Sequence, residues 1–210
     1  MRTPDEVLKN CKRPEGELGE QTIRRMNESH AELTAWGFSH FDVGMDAIVL
    51  DIGCGGGKAL RRLSRQAENG KLYGIDYSET SVNMAKQENE EDVQSGKIHI
   101  LHGSVSNLPF RDDMFDLVTT VESYYFWPDL AHDFREVCRV IKPGGLFVIV
   151  AEMYNHENQS EEDKYIVETL KMHNNTPEEL EKMLLEAGFA EVTTDTNVEN
   201  GWLCAIARRE

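Results

Sequence analysis

The run Val49-Leu50-Asp51-Ile52-Gly53-Cys54-Gly55-Gly56-Gly57 constrains the fold of this chain more than any other segment. Its apolar half reads as a buried parallel strand, and Lys58-Ala59-Leu60-Arg61-Arg62-Leu63 resumes at helical spacing. The glycines therefore lie on a strand-to-helix turn. Four glycines within five positions exceed what turn geometry alone requires. Lacking a Cβ, they let a ligand approach bare backbone, and the N–H groups at the start of the next helix can bind an anionic or hydroxylated group. A nucleotide-like cofactor is expected there.

Spacing separates the ligand classes that use such a loop. A phosphate-binding Gly-x-x-x-x-Gly-Lys-Ser/Thr loop finds Ile52 at its first glycine and Ala59 at its hydroxyl position. The dinucleotide pattern Gly-x-Gly-x-x-Gly is met at Gly53 and Gly55 but has Lys58 as its third glycine. The remaining pattern is an acidic residue followed by alternating glycines: Asp51, Gly53, Gly55 and Gly57.

Around this loop, strands and helices alternate, which argues an α/β domain with a mainly parallel sheet. A helical cap is expected over 18–36 after the Pro14-Glu15-Gly16 turn. Strands are expected at 47–51, 71–75, 98–101, 116–121 and 146–151, with helices near 79–92 and 130–141. Lys142-Pro143-Gly144-Gly145 should separate the second helix from the fifth strand. Thr176-Pro177-Glu178-Glu179 opens a capped helix ended by Gly188, and 191–195 and 202–207 should close the sheet as an antiparallel pair. The expected organisation is one domain: a cap at 1–44, a cofactor-binding core at 45–152, a substrate-side insertion at 153–175 and a C-terminal helix and strands at 176–210.

Composition narrows the partners. A net charge of −16 repels a phosphate backbone, and the basic pairs Lys12-Arg13, Arg24-Arg25 and Arg61-Arg62 lack an aromatic stacking platform, so nucleic acid is not expected. No apolar stretch approaches the roughly 20 residues that span a bilayer, and residues 1–14 lack the hydrophobic segment of a secretory signal. A cytoplasmic protein, monomeric or homodimeric, is expected. Cys11, Cys54, Cys138 and Cys204 are scattered, implying neither a disulfide framework nor a zinc site, and no metal is expected.

Two further signals fall in register with the loop. Strand two ends in Gly74-Ile75-Asp76-Tyr77, which places a carboxylate where both ribose hydroxyls of an adenosine can be bound, with Tyr77 beside it to cover the base or to pack. Downstream lies Gly103-Ser104-Val105-Ser106-Asn107-Leu108-Pro109-Phe110, then Phe115-Asp116-Leu117-Val118. With the acidic glycine pattern, these segments resemble the class I S-adenosylmethionine-dependent methyltransferases over about 45–152, most of all the subgroup that includes ubiquinone and menaquinone methyltransferases.

The resemblance implies a Rossmann-like, doubly wound, seven-stranded sheet. It also implies S-adenosylmethionine as cofactor, S-adenosylhomocysteine as product, and methyl transfer to a small-molecule acceptor by in-line displacement. The implied cofactor contacts are Asp51, Gly53, Cys54, Gly55, Gly57, Asp76, Tyr77, Ser104, Val105 and Glu122. Ser104 departs from the pattern, standing where many relatives carry the aspartate that contacts the adenine amino group. A noncatalytic cofactor-binding protein is the competing reading.

Acceptor chemistry must come from segments capping the carboxyl edge of the sheet. His30 is the leading candidate base, with Trp36-Gly37-Phe38 expected as an apolar lid. Tyr124 and Tyr125, within Glu122-Ser123-Tyr124-Tyr125-Phe126-Trp127-Pro128, join His30 as candidate catalytic residues on a pocket wall. The histidines at 156 and 173 read as surface residues. Glu-Ser-Tyr-Tyr differs from the Asn/Asp-Pro-Pro-Tyr/Phe of relatives that methylate amide or exocyclic amino nitrogens, and no Pro-Cys nucleophile or close cysteine set is present.

Overall fold

In the computed structural model, which describes residues 4–210, seven strands form one sheet in the order β3-β2-β1-β4-β5-β7-β6. Strands β1 (Ile48–Ile52), β2 (Lys71–Asp76), β3 (Ile98–His102), β4 (Phe115–Val121) and β5 (Ile141–Ala151) are parallel. The β6 (Glu191–Asn197) and β7 (Trp202–Arg208) hairpin joins antiparallel through β7 to β5. The order runs outward in both directions from β1 and β4, so the crevice beyond their carboxyl ends is the switch point where open α/β sheets bind ligands.

Helices cover both faces because the central strands are apolar on both. Along β5, Phe147 and Ile149 enter one core with Phe134, Val137, Leu180 and Leu184 from α7 (Leu130–Val140) and α9 (Pro177–Glu186). Val148 and Val150 enter the other, with Leu33 of α3 (Ala31–Gly37), Leu60 and Leu63 of α4 (Lys58–Ser64), and Val82 and Ala85 of α5 (Glu79–Glu88). This period-two alternation separates the layers. Thr176 caps α9 through the reciprocal bonds anticipated from its sequence, its side chain accepting from the Glu179 amide while Glu179 accepts from the Thr176 amide.

Several boundaries differ from those read in the sequence. The N-terminal segment contains α1 (Pro4–Lys12), α2 (Gly16–Ser29) and then α3, with the chain turning at His30. The expected 79–92 helix divides at Asn89, whose side-chain amide donates to the Gly57 and Ala85 carbonyls, and continues as α6 (Glu90–Gln94). Lys142–Gly145 lies within β5 as an irregularity in its pairing with β4 rather than separating helix from strand. The expected polar insertion at 153–175 contains α8 (Glu161–Leu170), opened by a Ser160 capping box that its polarity concealed.

The aromatic lid expected at Trp36-Gly37-Phe38 is instead core and scaffold. Trp36 packs on Trp202 and His40, Phe38 packs on Phe41, and Gly37 lies against Val150. A Cβ at Gly37 would stand 2.6 Å from Val150 Cγ1, on a β-branched side chain that is fully buried and has nowhere to turn. Gly37→Ala is therefore expected to destabilise the fold by about 1–3 kcal/mol, read as a lower denaturation midpoint; an unchanged midpoint would refute this packing.

Buried Asp51 supplies a second test. It accepts a 2.8 Å bond from Thr119 Oγ1, yet burial raises its pKa to about 7, outweighing that bond and reinforced by the Asp76 charge. An acid whose pKa is higher folded than unfolded stabilises most below its unfolded pKa and loses that contribution as pH rises through its folded pKa. Asp51→Asn, which keeps an acceptor for Thr119, should flatten the fall in melting temperature between about pH 4 and 7; an unaltered pH profile would contradict this burial effect.

Candidate active site

The glycine loop is held open by its own backbone. Gly53, Gly55 and Gly57 adopt φ of 70°, 50° and 78°, a left-handed region that side chains rarely adopt. The Gly53 and Cys54 amides donate to the Ile75 carbonyl, fastening the loop to the end of β2. The Gly55 amide donates to Asp76 Oδ2 at 2.9 Å, and the Ser78 amide donates to Oδ1 at 2.9 Å. Burial raises the Asp76 pKa, and these two amides work against the rise. A Cβ at Gly55 would meet nothing nearer than the Gly53 carbonyl at 4.0 Å.

The other loop glycines serve close approach. A Cβ at Gly53 would fall 2.5 Å from Ser123 Cβ, and one at Gly56 would fall 2.5 Å from Asn27 Nδ2. The loop is thus clamped by the segment after β4 and by α2. Gly57 faces Asn89 and Ala85 of the α5 side. Gly57 does not line the cavity: among the loop positions read as cofactor contacts, it packs the start of α4 against α5.

A cavity of about 1440 Å³ opens beside this loop. Its walls bring together Asp51, Gly53, Cys54, Gly55, Asp76, Tyr77, Ser104, Val105, Glu122, Tyr125 and His30, sequence positions drawn from five separate segments. Ser104 caps the short turn after β3 by accepting from the Ser106 amide. The α1–α2 corner lies over the β2 end, where Tyr77 donates its hydroxyl to the Lys12 carbonyl and Ser78 Oγ donates to the Pro14 carbonyl at 2.6 Å. Lys12 also reaches the Leu170 carbonyl at the end of α8, closing one side of the roof.

Tyr124 is not on this wall. It is fully buried in the core cluster with Phe134 and Phe147, and its hydroxyl has no hydrogen-bond partner among the described residues. The aromatic run divides because a turn of 3-10 helix at 124–126 points successive rings in different directions: Tyr124 inward, Tyr125 and Phe126 to the cavity. His173, read as a surface residue, is instead a cavity residue held by its amide to the Tyr125 carbonyl and by Nε2 to the Trp127 carbonyl at 2.8 Å. His156 packs on Tyr154 away from the cavity.

At the far end of the cavity from Asp76, three ionisable groups meet. His30 Nε2 lies 3.7 Å from Glu122 Oε2 and 3.3 Å from Glu152 Oε1. Glu122 is anchored on both oxygens: the Glu152 amide donates to Oε1 at 2.6 Å and the Tyr125 hydroxyl to Oε2 at 2.7 Å. Burial, and then the Glu152 charge, raise the Glu122 pKa. Burial opposes a charged His30 ring, as does Arg25, but the Glu152 hydrogen bond and the two carboxylates outweigh them and raise its pKa. Glu152 carried no motif in the sequence. It enters because β5 ends beside β4, with Val121 paired to Val150. The three groups offer ligand atoms within 4.8 Å of one another, a donor set that a metal-free sequence reading did not foresee.

Residues 50–149 match the family described as "Methyltransferase domain". A demethylmenaquinone methyltransferase from Bacillus cereus (strain ATCC 10987 / NRS 248) is 37% identical over 105 residues, which are 50% of this chain and 44% of the relative. The match thus spans about half the length of that curated protein. The fold is similar to a chain from the complex of the Haloferax volcanii Trm112 methyltransferase activator with a protein assigned there as a methyltransferase, at 22% identity, a TM-score of 0.80 and 99% coverage of each chain. It is also similar to Haemonchus contortus phosphoethanolamine N-methyltransferase 2 in complex with S-adenosyl-L-methionine, at 14% identity and a TM-score of 0.81, over 97% of this chain and 60% of that one. The stretch from 50 to 149 is similar to the methyltransferase-domain family, and the chain shares the fold of these solved structures.

Proposed function

We propose that the chain binds S-adenosylmethionine on the glycine loop and transfers its methyl group to a small-molecule acceptor. The observation that carries this reading is the convergence of the loop, Asp76 and the His30 cluster on one cavity of about 1440 Å³. Ordinary ligand pockets occupy about 300–1,000 Å³, so this one has room for two molecules side by side. Its residues fit the cofactor. The space beside Gly55 is open, and of the four acceptor sites of the Asp76 carboxylate three are taken by the Gly55 and Ser78 amides and the Ser81 hydroxyl, which leaves one for a ribose hydroxyl.

When bound, the cofactor supplies a methyl group already activated by its sulfonium. The protein therefore has to align the acceptor and exclude water. In this reading Asp76 holds the ribose, Tyr77, Ser104 and Val105 surround the base, and Gly53, Cys54, Gly55 and Glu122 line the methionine end. His30 takes the acceptor's proton at Nε2, and Glu152, 3.3 Å from that same nitrogen, then holds the imidazolium that results, while Tyr125 acts by fixing the Glu122 carboxylate. Gly57 and Tyr124 support the site from outside it.

Residues 1–44 and 153–175 act as caps around the 45–152 core, with 176–210 completing the sheet. A noncatalytic binder is the weaker reading, because the cavity continues beyond the cofactor positions to His30, Glu152 and His173. No helix among the described residues is long and apolar enough to cross a membrane. We assign the chain to the cytoplasm as a monomer or homodimer without a nucleic-acid partner.

Calorimetry tests the cofactor half. Asp76→Ala should weaken S-adenosylmethionine binding by about 1.5–3 kcal/mol, the worth of hydrogen bonds to a charged group. NAD should give no heat; tight NAD binding without S-adenosylmethionine binding would sink the proposal. The pH dependence tests His30. Because its pKa lies above the ordinary 6.5, the neutral base accumulates only as pH rises past that value, and kcat/KM should climb through this range. His30→Gln should remove that rising limb, and a limb that persists would assign the proton transfer elsewhere.

A further inference from the structure

The acceptor end of the cavity carries a charge pattern that selects among acceptor chemistries. Glu122 and Glu152 share one imidazole, and among the described residues no lysine or arginine forms an ion pair with either carboxylate. The nearby cations find partners other than these carboxylates, Arg25 with Cys11 Sγ at 3.4 Å and Lys12 with the Leu170 carbonyl, though the Arg25 charge still reaches His30. Glu122 has only 8% of its side chain exposed, so water does little to offset its charge. The cluster also borders the glycine loop. Ser123, next to Glu122, packs on Gly53, while Asn27, one helical turn before His30, packs on Gly56.

A second observation is independent of the carboxylates. The adjoining wall is aromatic, with Tyr125, Phe126 and Trp127 facing the cavity. Lys12 Nζ already stands 5.6 Å from the centroid of the Phe126 ring, which shows that this wall accepts a cation. Both features favour a positively charged occupant, and the carboxylate pair repels an oxyanion.

Resting on the methyl-transfer reading above, we propose that the acceptor is an amine whose nitrogen sits between His30, Glu122 and Glu152 against the aromatic wall. The amine enters as its ammonium form and gives one proton to Nε2 of the neutral His30 ring, whose imidazolium Glu152 and Glu122 then face. The freed lone pair then forms the new N–C bond with the methyl carbon. The C–S bond breaks with its electron pair retained by sulfur, so the sulfonium becomes a neutral thioether and the positive charge passes to nitrogen. That charge develops beside Glu152 and the largely buried Glu122, an arrangement that favours the transition state over the ground state. For an oxyanion nucleophile the same carboxylates would oppose its approach.

The test uses the full chain and three probes matched in shape: 2-phenylethylamine, 2-phenylethanol and 3-phenylpropionate. Calorimetry on protein saturated with S-adenosylhomocysteine should detect the amine and neither of the others, and labelled methyl should enter the amine alone. Glu152→Gln should weaken amine binding by about 10-fold or more, as loss of a charge-assisted bond does, while S-adenosylmethionine affinity stays within about twofold, far below that loss. Glu152→Asp, which keeps the charge, should restore part of the loss.

Methylation of the alcohol or the carboxylate without the amine would overturn the proposal, as would failure of all three probes to bind. Activity abolished by EDTA and restored by Mn²⁺ would assign the cluster to a metal instead. An equal loss of S-adenosylmethionine affinity in Glu152→Gln would assign it to the cofactor's own amino group. A chain that binds no S-adenosylmethionine would defeat the earlier reading, separately from this one.

Discussion

The bond from the Gly55 amide to the Asp76 carboxylate ties together the two strand ends on which the site is built. Strands β1 and β2 run parallel and in register, Ile52 beside Ile75, so the glycine loop and the carboxylate emerge at the same height. Keeping a carboxylate ionised here is costly because it is only 7% exposed, and backbone amides compensate in part. The loop can supply its amide only in a conformation with positive φ at Gly53, Gly55 and Gly57. Glycine spacing, strand register and a buried acid are thus parts of one constraint.

That constraint explains why the Asp76 end of the cavity was legible in the sequence. A parallel strand, a glycine turn and a carboxylate at the next strand end are local signals, and parallel pairing converts their sequence distance into a fixed spatial one. Cap residues such as Thr176 are legible for the same reason, since their partners lie three residues away. Gly57 shows the limit of a motif: its spacing matches the loop, but its missing Cβ makes room for Ala85 and Asn89.

The His30 end of the cavity depends on contacts that no local pattern encodes. Glu152 follows an apolar strand and resembles any solvated residue at a strand end, until the pairing of β4 with β5 brings its amide to the Glu122 carboxylate. Tyr124 and Tyr125 are adjacent and alike in chemistry; the turn of 3-10 helix decides which one faces the cavity. Trp36 and Phe38 looked like a lid because they follow His30, but a bend at His30 sends α3 toward β5 and the Trp202 strand. In each case the deciding information is the direction of a backbone turn.

Ser123 bears on how the two half-sites communicate. Its hydroxyl donates to the Ile52 carbonyl at the end of β1 and bonds Thr120 Oγ1 at 2.6 Å, while its Cβ occupies the space left free by Gly53. The loop carrying Glu122 and the loop carrying the glycines therefore have little freedom to move apart. An occupant that shifts one displaces the other, and linkage makes any such influence mutual: whatever factor one ligand adds to the affinity of the second, the second returns to the first. Ser123 lines the cavity at the junction of these two loops, so it is a residue through which the order and tightness of binding can be tuned.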